Sequence, residues 1–145
     1  MDFKIVKVTN DLLRKKLFDI RREVFVVEQE VSPEEEFDEF EDSSHHFLAM
    51  DENENPVGAS RWRSTEKGVK LERFAVKKNM RGKGLGSAIV EETLKDISGH
   101  VPIGTYLYMH AQLDAVPLYE KYGFLKKGEQ FEECEIQHYF MWKLS

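Results

Sequence analysis

The stretch Leu71-Glu-Arg-Phe-Ala-Val-Lys-Lys-Asn-Met-Arg-Gly-Lys-Gly-Leu-Gly-Ser-Ala-Ile-Val90 decides how this chain is read. An apolar, β-branched run comes first, then a basic turn holding Gly82, Gly84 and Gly86, then an amphipathic helical pattern. Such a turn leaves main-chain N–H groups unpaired at a helix N-terminus, where the helix dipole adds partial positive charge. Glycine lets the backbone approach a bulky anion, and Arg81 and Lys83 add formal charge beside it. The stretch reads as a phosphate-binding strand–loop–helix unit; the plainer alternative is a basic surface loop that uses glycine only to turn.

Two common phosphate motifs do not fit. The mononucleotide string G-x-x-x-x-G-K-[ST] does not occur, and a dinucleotide fingerprint counted from Gly82 meets Ser87 where its last glycine belongs. About twenty positions past the turn, where an acidic residue would take a ribose hydroxyl, stands Tyr106. What fits is Arg-x-x-Gly-x-Gly, written as Arg81, Gly84 and Gly86. A second motif, Ala115-x-x-Leu-Tyr-Glu-Lys-x-Gly-Phe124, follows at a distance that leaves room for one helix and one strand. The two together resemble the GNAT superfamily of acyl-CoA-dependent N-acetyltransferases. Arg22-Glu-Val-Phe-Val-Val-Glu-Gln29, the acidic stretch after it, His110-Ala-Gln112 and Glu133-x-x-Ile-Gln-His138 further resemble its ElaA-like subgroup. The resemblance covers nearly the whole chain and is strong for the coenzyme, weak for the acceptor.

Composition sets bounds. At 145 residues the chain is expected to form a single domain, 1–145, with a substantial core. A hydrophobic content of 41% with 33% charged residues is ordinary for a globular protein. The net charge of −6 disfavours wholesale nucleic-acid binding and suits a cationic substrate. No run approaches the roughly 20 apolar residues of a membrane helix, so no membrane partner is expected. The single cysteine, Cys134, forms no internal disulfide, which makes a reducing, cytoplasmic setting the default.

Along the chain, Phe3–Val8 reads as a strand and Asn10 as the N-cap of a helix whose Leu13, Leu17, Ile20 and Val24 form one apolar stripe. The run Val24-Phe-Val-Val27 weakens the helix at its end. Residues 34–42 carry seven carboxylates and two aromatics, Phe37 and Phe40. They read either as a solvated loop or as a loop pinned by its aromatics to form an acidic acceptor mouth. Calcium binding is the poorer third reading, because the EF-hand spacing and glycine are missing. His46–Met50 and Val57–Arg63 suggest a hairpin; Val69–Val76, Thr105–Ala111, Phe124–Lys127 and Ile136–Lys143 suggest further strands. Helices are expected over 84–98 and 115–121. This order matches the α/β (α+β) GNAT fold: a mixed, mostly antiparallel sheet of about seven strands, with splayed central strands and flanking helices.

The resemblance also implies a mechanism and residues. Acetyl passes from acetyl-CoA to an amine by direct attack in a ternary complex, so Cys134 is not required as a nucleophile. Tyr119 takes the place of the general acid near the thioester sulfur, with Tyr122 the obvious mistaken choice. Glu72, a carboxylate in a strand, is the leading general base; the alternative is a Glu merely paired with Arg61 or Arg73. Coenzyme binding falls to Phe74, Ala75, Val76, Arg81, Gly82, Lys83, Gly84, Leu85, Gly86 and Ser87, more weakly to Gln112 and Lys121, with Lys77 or Lys78 near the adenosine phosphates. Gln29, His46, Arg61, His110 and His138 are expected to line the acceptor pocket. His46, His110 and His138 lack the close spacing of a zinc site, so no metal is expected. The expected acceptor is a small-molecule primary amine. A protein lysine or N-terminal acetyltransferase and a non-catalytic acyl-CoA sensor are the rivals, and a homodimer is possible.

Overall fold

A computed structural model describes residues 2–145. The alternating apolar residues of β2 (His45–Asp51) feed two separate cores. Leu48 and Met50 pack with Leu17, Ile20 and Val24 of α1 (Asp11–Arg21) and the turns after it. Phe47 joins the core containing Val90 and Ile97 of α3 (Leu85–Ser98), while Ala49 packs against Leu85 and Ile89 of the same helix. The period-two alternation thus puts α1 on one face of the sheet and α3 on the other. The remaining strands are β1 (Phe3–Lys7), β3 (Pro56–Thr65), β4 (Gly68–Val76), β5 (Tyr106–Gln112), β6 (Leu125–Glu133) and β7 (Ile136–Leu144). Two short helices complete the chain, α2 (Pro33–Glu36) and α4 (Val116–Lys121). The strands form one seven-stranded sheet in the order β1-β2-β3-β4-β5-β7-β6, antiparallel except for β4 with β5.

Two local features position the site. Ladder pairing between β4 and β5 covers only Val69–Leu107, Lys70–Tyr108 and Leu71–Met109, after which the strands part. On its other edge β4 bulges: Ala75 pairs Ala59 and Glu72 pairs Arg61, so Arg73 and Phe74 stand against Ser60 alone. Arg73 takes a left-handed φ of 60° at this bulge. The strand expected at Val69–Val76 is therefore split in role, its first half paired on both edges and its second half free toward β5.

The apolar run Val24–Val27 does change the helix, as its β-branched content implied. Arg22–Glu28 widens into π-helical turns, with the Gln29 N–H donating to the Val24 carbonyl at 3.1 Å. Asn10 caps α1 through a 2.9 Å bond from the Leu13 N–H.

The acidic stretch departs most from a solvated loop. Glu36 and Glu41 are buried, as are the Arg21 and Arg61 side chains that meet them. Arg21 donates through Nε to Glu36 and through Nη1 and Nη2 to Glu41, each at 2.8 Å. Arg61 holds Asp38 at 2.9 Å and Glu41 at 3.0 Å. Phe37 packs edge-on to Phe18 and under Arg21 and Arg22, and Phe40 lies 3.8 Å from the Arg63 guanidinium. The pinning by aromatics holds, and three of the seven carboxylates, Glu36, Asp38 and Glu41, point inward to arginines, while Glu34, Glu35, Glu39 and Asp42 are exposed.

Candidate active site

At the parting of β4 and β5 lies a cavity of about 410 Å3. Its lining draws on both faces of the sheet. Lys70, Glu72, His110, Gln112 and His138 share the face covered by α2, whereas Leu71, Met109 and Tyr119 belong to the α3-side core. Both sets reach one space only because the two strands have separated. Phe25, Gln29, Val31, Glu35 and Glu36 form the roof, and Glu133, Cys134 and Ile136 close the far side.

The glycine turn leads into α3 beside this opening. Gly84 is the N-cap at φ 85°, a left-handed conformation that a residue with a Cβ adopts at a cost, and among the described residues no side chain caps the helix. The first-turn amides of Leu85, Gly86 and Ser87 thus have no carbonyl within the helix to donate to. At Gly86, by contrast, a Cβ would make only ordinary contacts, 3.4 Å from Leu118 of α4 and 3.9 Å from Val76. Leu85 is buried and Ala75 nearly so, leaving main-chain groups as what they can offer a ligand.

Arg81 differs from the expectation of a free charge at the loop. Its Nη1 and Nη2 meet Glu28 at 2.6 and 2.8 Å, and its Nε donates to the Val76 carbonyl at 2.9 Å. The guanidinium is a clamp between the π-helical turns and the loop, and exposed Lys83 carries the uncommitted charge. Lys121 is exposed on α4, beside the Tyr122 ring and outside the cavity lining. Gln112 lines the cavity, where it exchanges amide hydrogen bonds with Gln29 at 2.9 and 3.1 Å.

Tyr119 lines the cavity, edge-on to Phe74 at 5.6 Å, and burial pushes its hydroxyl well above the usual tyrosine value. It therefore stays protonated, and able to donate a hydrogen bond, throughout the neutral range. Tyr122 instead donates to the Ser87 carbonyl at 3.3 Å and pins α4 to α3.

Three sequence expectations need correction. Glu72 is no free base: Arg61 Nη2 and Arg63 Nε stand 2.7 and 2.6 Å from the same carboxylate oxygen, with Lys70 at 3.5 Å from the other. Burial would raise this carboxyl, but the charge and hydrogen bonds of Arg61 and Arg63 prevail and hold it at about 2. So acidic a group is a poor acceptor for an ammonium proton. Arg61 does not line the pocket; it is fully buried behind it, bridging Asp38, Glu41 and Glu72. Nor does His46 line it. Its Nε2–H donates to the Glu41 carbonyl at 2.8 Å, its Nδ1 is buried without a partner among the described residues, and burial lowers its basicity.

Gln29, His110 and His138 do line the cavity. The His138 Nδ1–H donates to the Ile136 carbonyl at 2.7 Å. The Cys134 thiol donates to Glu35 at 3.0 Å, and burial together with that carboxylate raises it to about 11, so the thiolate is scarce at neutral pH. Glu35, Glu133 and Cys134 were not foreseen at the cavity as individual residues. Among the described residues, His45, Asp96 and His100 converge within 4.8 Å, away from the cavity, but Asp96 already holds Lys7 and Trp62. None of the three histidines singled out from the sequence belongs to that group.

The family model described as "Acetyltransferase (GNAT) domain" matches residues 9–145. The chain belongs to the GNAT acetyltransferase family. It is 40% identical over 141 residues to the uncharacterized N-acetyltransferase YjcF of Bacillus subtilis, covering 97% of this chain and 99% of that one. Escherichia coli ElaA is 28% identical over 125 residues, 84% of this chain and 81% of ElaA. Its crystal structure superposes with a TM-score of 0.85 over 97% of this chain and 99% of that chain, at 23% identity. An aminoglycoside 6'-N-acetyltransferase complexed with coenzyme A shares the fold, with a TM-score of 0.74 at 16% identity over 99% and 97% of the two chains. This GNAT enzyme thus belongs to a family that uses acyl-CoA, with ElaA among its homologues. No helix among the described residues is long and apolar enough to cross a membrane.

Proposed function

We propose that this enzyme transfers acetyl from acetyl-CoA to the primary amine of a small molecule by direct attack. The observation that carries the reading is the cavity at the parted strands, of a size for a small molecule and with the carboxylates of Glu35 and Glu133 in its wall. The glycine turn and the first-turn amides of α3 hold the coenzyme diphosphate, and the unpaired edge of β4 at Phe74–Val76 takes the pantetheine arm. The acetyl carbonyl then lies in the parting, near Tyr119.

The charge of the roof suits an ammonium. Glu35 has no cation partner among the described residues, and Glu133 adds a second carboxylate to the wall. An alkyl ammonium ordinarily loses its proton about three units above neutral, so freeing the lone pair costs about 4 kcal/mol at pH 7. Tyr119 supplies the leaving sulfur with a hydrogen bond and then a proton. Burial makes it a weak acid, and the same dry surroundings make a thiolate there correspondingly more basic.

Isothermal calorimetry with acetyl-CoA followed by a free-thiol release screen over primary amines tests the reading. Micromolar coenzyme binding with amine-dependent thiol release is the expected result. Binding without release for any small amine, but with release on a lysine peptide, would transfer the proposal to a protein acetyltransferase. Binding without any turnover would make the chain an acyl-CoA sensor.

A further inference from the structure

The binding geometry and pKa of Glu72 leave the acceptor's proton without a destination, and another pair in the cavity supplies one. His110 lies on β5 just beyond the last β4–β5 pair, on the face of the sheet covered by α2. Its Nδ1 is 2.7 Å from Glu133 Oε2, across 23 positions of sequence. The His110 hydrogen bond lowers the Glu133 carboxyl against the effect of burial, with help from the charges of His110, His138 and Lys70. An ionised carboxylate can only accept, so Nδ1 carries the hydrogen and the lone pair sits on Nε2. Edge-on contact with Phe131 at 5.3 Å further fixes the ring plane.

Resting on the acetyltransferase reading above, we propose that His110 is the general base that takes the proton from the acceptor ammonium, and that Glu133 is its positioning residue. The lone pair freed on nitrogen forms the N–C bond to the thioester carbonyl carbon as the C–S bond breaks. Nitrogen sheds two protons in all: one passes through His110 to solvent, and the other restores Tyr119 after it has protonated the coenzyme sulfur. His138 shares the cavity, but its Nδ1–H is held by a main-chain carbonyl, which does not stabilise an imidazolium as a carboxylate does.

Other charged groups face His110 from every side of the cavity. They are Lys70, Glu72 and Arg73 on β4, Glu35 and Glu36 on α2, Glu133 on β6, His138 on β7, and the Cys134 thiol. Glu36, Glu72 and Arg73 are committed to partners, which leaves Glu133 as the carboxylate in contact with the ring.

Two acceptor probes separate base from scaffold: 1,4-diaminobutane, fully ammonium at pH 7, and hydroxylamine, mostly unprotonated there. H110Q is expected to lower kcat with the diamine roughly 10²- to 10⁴-fold and with hydroxylamine less than tenfold, with coenzyme Kd unchanged. E133Q is expected to lower kcat with the diamine more than with hydroxylamine, and the double variant H110Q/E133Q no further than H110Q alone. Long-range 1H–15N spectra of histidine-labelled protein, which need no acceptor, are expected to show the Nδ1–H tautomer at His110 in the wild type and the Nε2–H tautomer gaining ground in E133A. Equal losses with both acceptors, or the Nε2–H tautomer at His110 in the wild type, would overturn the dyad. Absence of wild-type turnover with every amine would instead count against the transferase reading, while the spectra still decide the dyad.

Discussion

Replacing Glu72 by Gln separates a structural anion from a catalytic base. Gln keeps the size and one acceptor oxygen but removes the charge that Arg61, Arg63 and Lys70 surround. The carboxyl is depressed from 4.5 to about 2 in the folded chain. A neutral isostere at pH 7 therefore forfeits about 3 kcal/mol of stability, taking each unit as about 1.4 kcal/mol. For a chain of this size that is roughly 6–12 °C in Tm. Because the folded value lies below the unfolded one, this contribution is complete above about pH 4.5 and fades as pH falls toward about 2. Urea unfolding of wild type and E72Q is thus expected to differ by about 3 kcal/mol at pH 7 and to converge on acidification. Turnover of the folded variant is expected within about tenfold of wild type, far less than the 10²- to 10⁴-fold loss of a general base. An unchanged urea midpoint with collapsed kcat would refute the reasoning and return Glu72 to the role of base.

Further substitutions probe the rest of the site. Gly84→Glu adds a side chain at φ 85° and a negative charge at the helix N-terminus, so calorimetry is expected to show coenzyme Kd weakened at least a hundredfold; normal affinity would remove the loop assignment. Tyr119→Phe is expected to lower kcat roughly 10- to 100-fold with coenzyme Kd unchanged, and equal weakening of both would argue against proton donation. Arg21→Met strands Glu36 and Glu41 in the interior and is expected to cost about 3–5 kcal/mol in urea unfolding; a loss below about 1 kcal/mol would mean that the acidic stretch 34–42 is held by its aromatics alone.

Much of the fold is carried by near neighbours in sequence. The Asn10 cap, the stripe Leu17, Ile20 and Val24, and the strand–turn–helix of 71–90 are each readable from a window of a few residues, because hydrogen-bond periods of 2 and 3.6 repeat locally. The widening of 22–28 was foreshadowed by its β-branched residues, although their spacing alone does not distinguish a broken helix from a π-helical one.

Long-range pairing was not legible. Glu36, Asp38 and Glu41 look solvated in a linear reading because their partners Arg21, Arg61 and Arg73 lie far off in the chain, and only the fold brings them within 3.3 Å. Glu72 reads from the sequence either as a base or as a partner of Arg61 or Arg73, and Arg61 as a pocket cation; the β3–β4 ladder decides for the Glu72–Arg61 pair. His110 and Glu133 stand on strands whose shared neighbour β7 is fixed only by sheet order. The sequence by itself determined the fold class and the glycine turn that opens α3, since both rest on local backbone geometry. Tertiary structure decided which charges are spent on one another and which remain for chemistry, because electrostatic energy depends on distance through space rather than along the chain.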